Sequence, residues 1–453
     1  MVAALPPSLK PVERPSALTV REHDLEVECF RVVVNDGPDR EREVESEGAE
    51  LAVGSAEGNQ LVLGDAAVAR FHCVISATPE GFVLRDLGSP AGTTVAGVRV
   101  REALLEPGAV IGVGRTRLVF EAVGRQLRQP LSRAVRFGAV VGESAAMRRV
   151  FAQLERVAGS DTPVLIQGES GTGKNLLAEA LHAHSGRARA ALAIVDCAAI
   201  PAARLEAELF GEEQGGNVVA GRLEGARGST VFLDEVAELP LELQAKLARV
   251  LERRVLRRAG SLEPVPIDVR VIAASSRHLR QDVNRGLFRA DLLAALGATS
   301  VTLPALRDRR EDLAPLVSIF WEGAQGASAG PPAALVATLA RTDFPGNVRQ
   351  LREAVERAVA GDVATAAVRA TTVPDAPLPR AASPVPEALF DPAQSFRASK
   401  EAVVTRWERS YLLDLVRRCR GNVSRAARAA RMDRNHLRDL LRRHNIDASE
   451  VDE

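Results

Sequence analysis

A length of 453 residues exceeds what a single hydrophobic core supports and predicts about three domains. Hydrophobic residues at 46% and charged residues at 26% are the values of an ordinary globular protein, and they exclude wholesale disorder. The 59 basic residues balance the 59 acidic ones, which argues against a polyanionic partner that binds along the whole chain.

Neither a membrane span nor a disulfide or zinc framework is indicated. No stretch approaches the roughly 20 apolar residues that cross a bilayer, and no basic and then apolar leader opens the sequence. The cysteines lie far apart without a CxxC pair, at Cys29, Cys73, Cys197 and Cys419. We therefore expect a cytoplasmic protein that does not contact membranes.

Composition divides the chain into three parts, residues 20–122, 137–361 and 399–446. A polar stretch from 123 to 136 separates the first two and is predicted to be a linker. The Ala- and Pro-rich residues 362–398 lack apolar periodicity and are predicted to be a flexible linker. From Lys400 to Ile446, 13 basic residues stand against 5 acidic ones, which is typical of nucleic-acid binding or of a solvated helix.

Residues 20–122 are predicted to form an all-β sandwich. Short apolar runs such as FRVVV, CVISA and TRLVFEA recur about every 8–12 residues, with Gly, Asp, Asn and Pro between them. Two antiparallel sheets packed face to face are the usual outcome of that spacing.

Residues 137–361 alternate apolar runs with helical patterns, which predicts an α/β domain whose parallel sheet is covered on both faces. The run PVLIQ is followed by a glycine-rich segment and then a helical pattern, the context of a phosphate-binding loop. Glycines let main-chain amides surround phosphates, and a lysine reaches the terminal phosphates. A glycine turn with a stray lysine is the weaker interpretation. The predicted nucleotide-binding residues of the loop are Gly168, Glu169, Ser170, Gly171, Thr172, Gly173, Lys174 and Asn175.

The apolar run TVFL ends in Asp234 and Glu235. Behind a phosphate loop, two carboxylates at the end of a buried strand predict that the first, Asp234, holds Mg²⁺ through water and that the second, Glu235, polarises the attacking water. The expected cofactors are therefore ATP and Mg²⁺.

Further motifs follow in a fixed order: DCAAIP, ELFGEE, VRVIAAS, LFRADL, LPALRDRREDL and FPGNVRQLREAVERA. Together with GESGTGKN and STVFLDEV, they resemble the AAA+ domain of sigma-54-dependent enhancer-binding regulators over about half of the chain. The resemblance implies a P-loop α/β domain with a helical lid, ATP hydrolysis, and assembly into a ring that is normally a hexamer.

The resemblance also implies roles for individual residues. Arg289 would be an arginine finger that reaches the nucleotide of a neighbouring subunit, and Arg349 would be the second sensor on the lid. Ser275 and Ser276 stand at the first sensor. Asp196 stands where the family has an asparagine that couples to the catalytic glutamate, here Glu235.

Three departures from the family weaken the expected action on sigma-54. The GAFTGA loop that contacts sigma-54 reads GGNVVA at residues 215–220, which removes an aromatic tip and replaces a flexible glycine with Val219. Ala295 replaces a second arginine finger, and Asn175 replaces a glutamate. We expect these changes, together with Asp196 in place of an asparagine, to spare ATP binding, to impair ATP hydrolysis, and to impair contact with sigma-54 most.

Residues 51–120 resemble a forkhead-associated domain in the frame LAVGS, GNQLVLGD, ARFHCVI, GFVLRDLGS and AGTTVAGVRV. That family binds phosphothreonine through an arginine, a serine and an asparagine. Those positions, and that of a second asparagine, read Ser55, Ala69, Ala91 and Ala96 here. Arg70 and His72 remain, and the resemblance implies that His72 braces a loop. We expect little affinity for phosphothreonine and a role in interaction or dimerisation.

Residues 399–446 are predicted to be all-α and resemble a Fis-type helix-turn-helix domain. The apolar stripe from Trp407 to Val416 suits a packed or dimerising helix. Asp433 would cap a second helix over Arg434–Arg443. Arg442 and Arg443 are expected at phosphates or solvent. Base contacts are expected from Arg434, Asn435, His436 and Arg438.

These parts predict a bacterial DNA-binding transcription regulator of the sigma-54 enhancer-binding type. It would bind double-stranded DNA, associate from dimers to a hexameric ring, and use ATP to act on sigma-54 RNA polymerase. An alternative retains DNA and ATP binding but uses nucleotide only to set the oligomeric state, which residues 215–220 and Ala295 favour. A general AAA+ unfoldase would leave the basic terminus unexplained.

Overall fold

The computed structural model describes residues 16–21, 23–325, 330–361 and 434–443, together with Leu412, Val423 and Met432. The chain divides into two compact units, Met1–Pro374 and Asp375–Glu453. Within the described ranges, no helix combines the length and the apolar character needed to cross a bilayer. The described cysteines, Cys29, Cys73 and Cys197, are buried free thiols.

The amino-terminal part is a β-sandwich, as predicted. One sheet has the order β1-β2-β12-β11-β8-β9 with β3 beside β2, and the other has the order β10-β7-β6-β4-β5. The prediction of two purely antiparallel sheets is wrong at one pair, since β5 runs parallel to β4. The strands are β1 Leu18–Val20, β2 Asp24–Asp36, β3 Glu43–Glu45, β4 Glu50–Gly54, β5 Leu61–Val62, β6 Cys73–Thr78, β7 Gly81–Asp86, β8 Thr93–Val95, β9 Val98–Val100, β10 Glu102–Leu105, β11 Val110–Val113 and β12 Thr116–Pro130.

The core of the sandwich lies between the two sheets. Phe30 and Phe120 from one sheet meet Phe82 from the other, with ring centroids 5.0–5.6 Å apart. Strand β12 remains paired with β2 as far as Pro130, so the polar stretch expected to begin a linker at residue 123 is strand up to residue 130. Most side chains of 123–130 are exposed, which explains why their polarity suggested a linker.

The second part is an α/β domain with a lid. Its strands are β13 Arg136–Phe137, β14 Val140–Val141, β15 Val164–Gln167, β16 Ala193–Asp196, β17 Glu212–Gln214, β18 Asn217–Val219, β19 Thr230–Asp234, β20 Val255–Leu256, β21 Val265–Pro266, β22 Arg270–Ser275 and β23 Thr299–Thr302. Its helices are α1 Ala145–Val157, α2 Lys174–Ala183, α3 Ala202–Phe210, α4 Arg222–Gly225, α5 Leu241–Arg253, α6 Leu279–Asn284, α7 Ala290–Leu296, α8 Leu313–Gln325, α9 Ala333–Ala340 and α10 Asn347–Val359. Short 3-10 helices lie at Val236–Glu238, Leu306–Asp308 and Arg310–Asp312.

The central sheet is parallel, in the order β16-β19-β22-β15-β23. Alternate residues of its strands enter different cores, because successive side chains of a strand point to opposite faces. In β19, Val231 and Leu233 join the core that contains α3, α5 and α7, whereas Phe232 joins the core that contains α1 and α2. The predicted sheet with helices on both faces is confirmed, and the carboxyl ends of its strands share one edge.

Helices α8, α9 and α10 form the lid around a separate apolar core. In the second unit, the helix predicted over Arg434–Arg443 is confirmed and is α11. Its Leu437 and Leu441 are buried one turn apart, and Arg438, Arg442 and Arg443 are exposed. The first helix of the predicted helix-turn-helix and the linker 362–398 lie outside the described residues, apart from single positions.

Candidate functional site

The phosphate loop lies between β15 and α2, at the carboxyl edge of the central sheet. Gly168, Gly171 and Gly173 have φ values of +157°, +76° and +107°, a region that favours glycine. A Cβ at Gly171 would lie 2.2 Å from the Gly346 carbonyl oxygen of the lid. Gly171 is therefore required both by the turn and by the close approach of the lid.

Lys174 is the first residue of α2, and only 5% of it is exposed. Its ammonium group donates to the carbonyl oxygens of Gly168 at 3.0 Å and Glu169 at 3.3 Å. It also lies 3.5 Å from Glu235 Oε1. The loop thus holds a nearly buried cation whose carbonyl partners could be exchanged for phosphate oxygens.

Three carboxylates end two neighbouring strands beside the loop. Asp196 of β16 is in register with Asp234 of β19, and Glu235 follows Asp234. Burial raises the pKa of Asp234, and the charges of Glu235 and Asp196 raise it further. The Asn175 amide opposes this by donating to Asp234 Oδ2 at 2.8 Å. In the sequence alone, Asn175 is a departure from the family resemblance, and nothing there marks it as a partner of Asp234.

Glu235 is held by Ser276 rather than by Asp196. The Ser276 amide and hydroxyl donate to Glu235 Oε2 at 2.9 and 2.8 Å. Asp196 Oδ1 instead accepts the amides of Ala198 and Ala199, at 3.0 and 3.1 Å. An ionised carboxylate has no hydrogen to donate to a second one, which explains why Asp196 does not repeat the coupling expected of an asparagine. Ser275, the other residue predicted at the first sensor, donates to the Arg277 carbonyl at 3.1 Å.

The lid closes over the loop through residues that the sequence did not single out. Arg307 pairs with Glu169 at 2.8 and 2.5 Å, and this bond lowers the pKa of Glu169. The buried Asn347 donates to Glu169 at 3.2 Å and to the Ser170 carbonyl at 3.0 Å. Asn347 has a φ of +54°, a conformation that asparagine tolerates better than most residues. Its position in the PGN tripeptide is the signal that could have identified it.

The two arginines predicted at the site lie on different elements. Arg349, in α10, donates its main-chain amide to the Gly171 carbonyl at 3.2 Å, and the residue is exposed. Arg289 precedes α7, and its guanidinium group binds Asp291 at 2.7–3.2 Å. Ala295 is half-buried in α7, against the core. Among the contacts of the described residues, the Arg289 guanidinium group forms no hydrogen bond or ion pair with the phosphate loop of its own chain.

Residues 212–219 form a tight β-hairpin of β17 and β18. Gln214 is opposite Asn217, and the turn residues Gly215 and Gly216 have φ values of +57° and +86°. Two consecutive positive φ values are typical of a two-residue hairpin turn and favour glycine at both positions. Val218 and Val219 are 50% and 56% exposed. The segment at the position of the sigma-54 loop therefore presents two valines and no aromatic side chain.

The loops at residues 55–60, 63–72 and 87–92 form one end of the sandwich, which we call the loop edge. His72 is buried, and its Nδ1 accepts the Ala69 amide at 3.1 Å while its Nε2 lies 3.3 Å from the Gly92 carbonyl oxygen. Burial lowers the pKa of His72, so the neutral ring donates from Nε2. His72 therefore links two loops, as the resemblance implied. Ser55 donates to the Val68 carbonyl at 3.1 Å.

Residues 140–302 match the model of the sigma-54 interaction domain, and residues 307–387 match that of the AAA+ ATPase lid domain. This chain carries a sigma-54 interaction domain. The predicted AAA+ domain with a helical lid is thereby confirmed, and the phosphate loop, Asp234 and Glu235 all lie within its sigma-54 interaction domain.

Named relatives share this domain. The DNA-binding transcriptional activator HyfR of Escherichia coli (strain K12) is 43% identical over 243 residues, which are 52% of this chain and 36% of HyfR. The nitrogen assimilation regulatory protein NtrX of Azorhizobium caulinodans is 38% identical over 321 residues, 67% of this chain and 66% of NtrX. The crystal structure of NtrX from Brucella abortus in complex with ATP is 35% identical over 69% of this chain and 71% of that chain, with a TM-score of 0.45. The chain spans between about a third and a half of the length of the first relatives it matches.

The sandwich matches a different family model. Residues 33–124 match the cytoplasmic domain of the inner membrane component of type III secretion systems. Solved structures of forkhead-associated domains are 24–28% identical over 20–22% of this chain, with TM-scores of 0.19–0.21.

Proposed function

We propose that this chain is a DNA-binding transcription regulator of the sigma-54 enhancer-binding type that binds and hydrolyses ATP. The observation that carries the proposal is the convergence of the Lys174 ammonium and the Glu235 carboxylate, 3.5 Å apart, at the edge of the parallel sheet. The positive end of α2 and the loop amides favour an anion there. The match to the sigma-54 interaction domain gives that anion its expected identity, the phosphates of ATP.

The residues at this edge fit a magnesium ion bound together with nucleotide. Mg²⁺ prefers oxygen ligands and is usually held by one or two carboxylates plus substrate phosphates. Asp234 would hold it, and the charges of Glu235 and Asp196, which add to burial in raising the pKa of Asp234, would favour the cation. When bound, it would neutralise charge on the phosphates. Glu235, oriented by Ser276, would accept a proton from the attacking water.

Subunit association and DNA binding complete the proposal. Arg289 is 44% exposed in its side chain and pairs with Asp291 of its own chain, so it could exchange that partner for phosphate in a neighbouring subunit of a ring. The exposed Arg438 of α11 would contact base edges, together with Arg434, Asn435 and His436, and Arg442 would contact phosphate. The sandwich would be a forkhead-associated module. A cytoplasmic location remains a prediction.

The proposal is tested by ATP turnover and sedimentation of the full chain. We expect ATP hydrolysis that rises with protein concentration, because Arg289 would act only in an assembled ring. Arg289→Ala should remove that rise while ATP still binds. Turnover per chain that is independent of concentration in the wild type, with no assembly in the presence of ATP, would contradict the ring-ATPase part of the proposal.

A second candidate function is favoured by the hairpin at residues 212–219. Its exposed valines and the glycine turn differ from an extended loop with an aromatic tip, and Ala295 lacks the charge of a second finger. In this candidate, nucleotide sets only the oligomeric state. Open-complex formation with sigma-54 polymerase, at a promoter carrying the site of this protein, separates the two. The second candidate predicts none from the wild type and some after GAFTGA and Ala295→Arg are introduced together. Robust activation by the wild type would exclude it.

A further inference from the structure

Five consecutive carbonyl groups of the phosphate loop accept hydrogen bonds from other parts of the domain. The Lys174 ammonium group binds the carbonyls of Gly168 and Glu169. The next three carbonyls are bound from the lid. These pairs are the Asn347 carboxamide with Ser170 at 3.0 Å, the Arg349 main-chain amide with Gly171 at 3.2 Å, and the Arg309 guanidinium group with Thr172 at 3.0 Å. The carbonyls of residues 168–172 are thus all turned toward the protein.

The direction of the carbonyls decides where the loop amides point. A trans peptide unit is planar, so its carbonyl and the amide of the next residue point in opposite directions. The peptide units that Asn347 and Arg309 hold end in the amides of Gly171 and Gly173. Neither amide has an acceptor among the described residues. Both amides therefore remain as donors for an anion on the side of the loop opposite the carbonyls.

The two held peptide units are also those that rotate most easily. Gly171 and Gly173 have φ values of +76° and +107°, and glycine adopts positive and negative φ about equally readily. A peptide unit that precedes a glycine can therefore turn over and present its carbonyl oxygen to the ligand in place of the next amide. Such an oxygen would repel a phosphate group. A hydrogen-bond donor that binds the carbonyl from the other side prevents this rotation.

Arg309 is buried at a cost to stability. Only 2% of it is exposed, between the short helices Leu306–Asp308 and Arg310–Asp312. It donates to Met147 Sδ at 2.9 Å, but in the described part of the chain it forms no ion pair and its buried Nε has no partner. Burial lowers the pKa of Arg309, although the Asp312 carboxylate opposes this. Arginine is rarely buried without an ion pair, because removing its charge from water is unfavourable. Packing alone therefore does not explain a guanidinium group at this position.

We propose that Arg309 is a positioning residue of the nucleotide site. By holding the Thr172 carbonyl from the lid, it aims the Gly173 amide at the phosphates of the nucleotide, and Asn347 does the same for the Gly171 amide. The charge of Arg309 also polarises the peptide unit that it binds, which makes the Gly173 amide a stronger donor. This role rests on the proposed function, because it requires a nucleotide at the loop. The lid thereby sets the affinity for phosphate through the loop, without touching the ligand at this point.

Calorimetric titration of the full chain with ADP tests the role of Arg309. Arg309→Met retains an unbranched apolar stem but no donor, so the affinity for ADP should fall about tenfold or more. Arg309→Lys can still donate to the carbonyl and should stay within about threefold of the wild type. Arg270→Met is the matched control. Arg270 is also buried, donates to two carbonyls at the end of α1, and has a buried Nε without a partner among the described residues.

Arg270→Met should leave the affinity for ADP within about twofold of the wild type, because it removes a buried cation away from the loop. Equal affinity in Arg309→Met and the wild type would overturn the proposal. An equal loss in the methionine and lysine variants of Arg309, or in Arg309→Met and Arg270→Met, would overturn it too. A wild type that binds no ADP would instead contradict the proposed function.

Hydrogen exchange with saturating ADP separates the aiming of one amide from a general loosening of the domain. In the wild type, ADP should slow exchange of the Gly171 and Gly173 amides about tenfold or more. Arg309→Met should lose this protection at Gly173 and keep it at Gly171. Asn347→Gly, which retains the left-handed main chain, should do the reverse.

Wild-type exchange in β15, β19 and β22 would show that a variant folds. Equal losses at both glycines in either variant would overturn the assignment of one side chain to one amide. If Arg309→Met does not fold, the wild type and Asn347→Gly still decide. An ADP-bound wild type without protection at Gly173, or an Asn347→Gly variant that loses protection at both glycines, would overturn the proposal.

Discussion

The phosphate loop and the loop edge of the sandwich are two sets of turns that differ in the side chains they offer to a charged ligand. The phosphate loop carries the cation that phosphate binding needs. This cation is Lys174, which is nearly buried among main-chain carbonyls and lies beside Glu235. The loop edge carries Ser55 and Ala69 at positions where the family resemblance implies phosphate donors. Its shape is nonetheless maintained by neutral groups, above all His72, which links two loops.

The difference shows that loop geometry and ligand chemistry are separable. A loop braced by a neutral side chain such as that of His72 retains its conformation when the side chains that would bind a charged ligand are absent, because the brace and the ligand contacts use different atoms. At the loop edge, the main-chain groups of Phe71 and Leu87 are then available to Asn284. At the phosphate loop, a single substitution should remove binding without unfolding the domain.

The largest expected effect is that of Lys174→Ala. Loss of a buried, charge-assisted contact should weaken ATP binding by about 100-fold or more and leave DNA binding largely intact. Lys246→Ala is the matched control, because Lys246 pairs with Glu206 on α3 and packs on Phe210. Calorimetric titration with ATP checks both variants, and equal affinities for Lys174→Ala and the wild type would refute the site.

Ser276→Ala should separate hydrolysis from binding. Without its hydroxyl, Glu235 loses a 2.8 Å hydrogen bond, so kcat for ATP hydrolysis should fall about tenfold while KM stays within about twofold. Ser276→Thr retains the hydroxyl and should restore most of kcat. If Ala and Thr variants lose kcat equally, Ser276 acts through packing and not through Glu235.

The sequence predicts the fold more completely than it predicts the side-chain contacts within the site. Apolar runs that alternate with helical patterns, together with GESGTGKN and TVFLDE, predict the parallel sheet and put Lys174, Asp234 and Glu235 at one edge. The sequence could not reveal that Asn175 donates to Asp234 or that Ser276, and not Asp196, is the partner of Glu235, because these pairs join residues about 40 to 60 positions apart. Residues 123–130 looked like a linker because a strand exposed to solvent carries no apolar alternation.

In the turn between β8 and β9 of the sandwich, the expected effect is on stability and not on binding. Ala96 has a φ of +50°, a left-handed conformation that is costly for alanine. Ala96→Gly should therefore raise the free energy of unfolding of the sandwich by about 0.5–1 kcal/mol, after allowing for the greater freedom of glycine in the unfolded chain. Denaturant unfolding followed in the sandwich checks this. Ala77→Gly, within β6, should have the opposite sign, and a loss of stability in both would show that Ala96 is unstrained.

The smallest effect is expected for Arg307→Ala, at the contact between the lid and the phosphate loop. The pair with Glu169 is about half-exposed, at 50% and 43%, so its loss should cost less than about 1 kcal/mol near neutral pH. The pKa of Glu169 is lowered from 4.5, so this stability is present above pH 4.5 and is lost as the pH falls through the lowered pKa. Unfolding measured near neutral pH and in acid should show the variant and the wild type converging in acid. A difference that grows in acid would contradict the assignment.

The comparison of the two loop sets is tested most directly by calorimetric titration of the full wild-type chain, first with ATP and Mg²⁺ and then with matched phosphothreonine and threonine peptides from a degenerate library. We expect saturable binding of ATP and no preference for the phosphorylated peptides, because Ser55, Ala69 and Ala91 stand where the family resemblance implies phosphate donors and the loop edge is held by Asn284. A phosphothreonine preference of about tenfold or more, or no binding of ATP, would contradict this account.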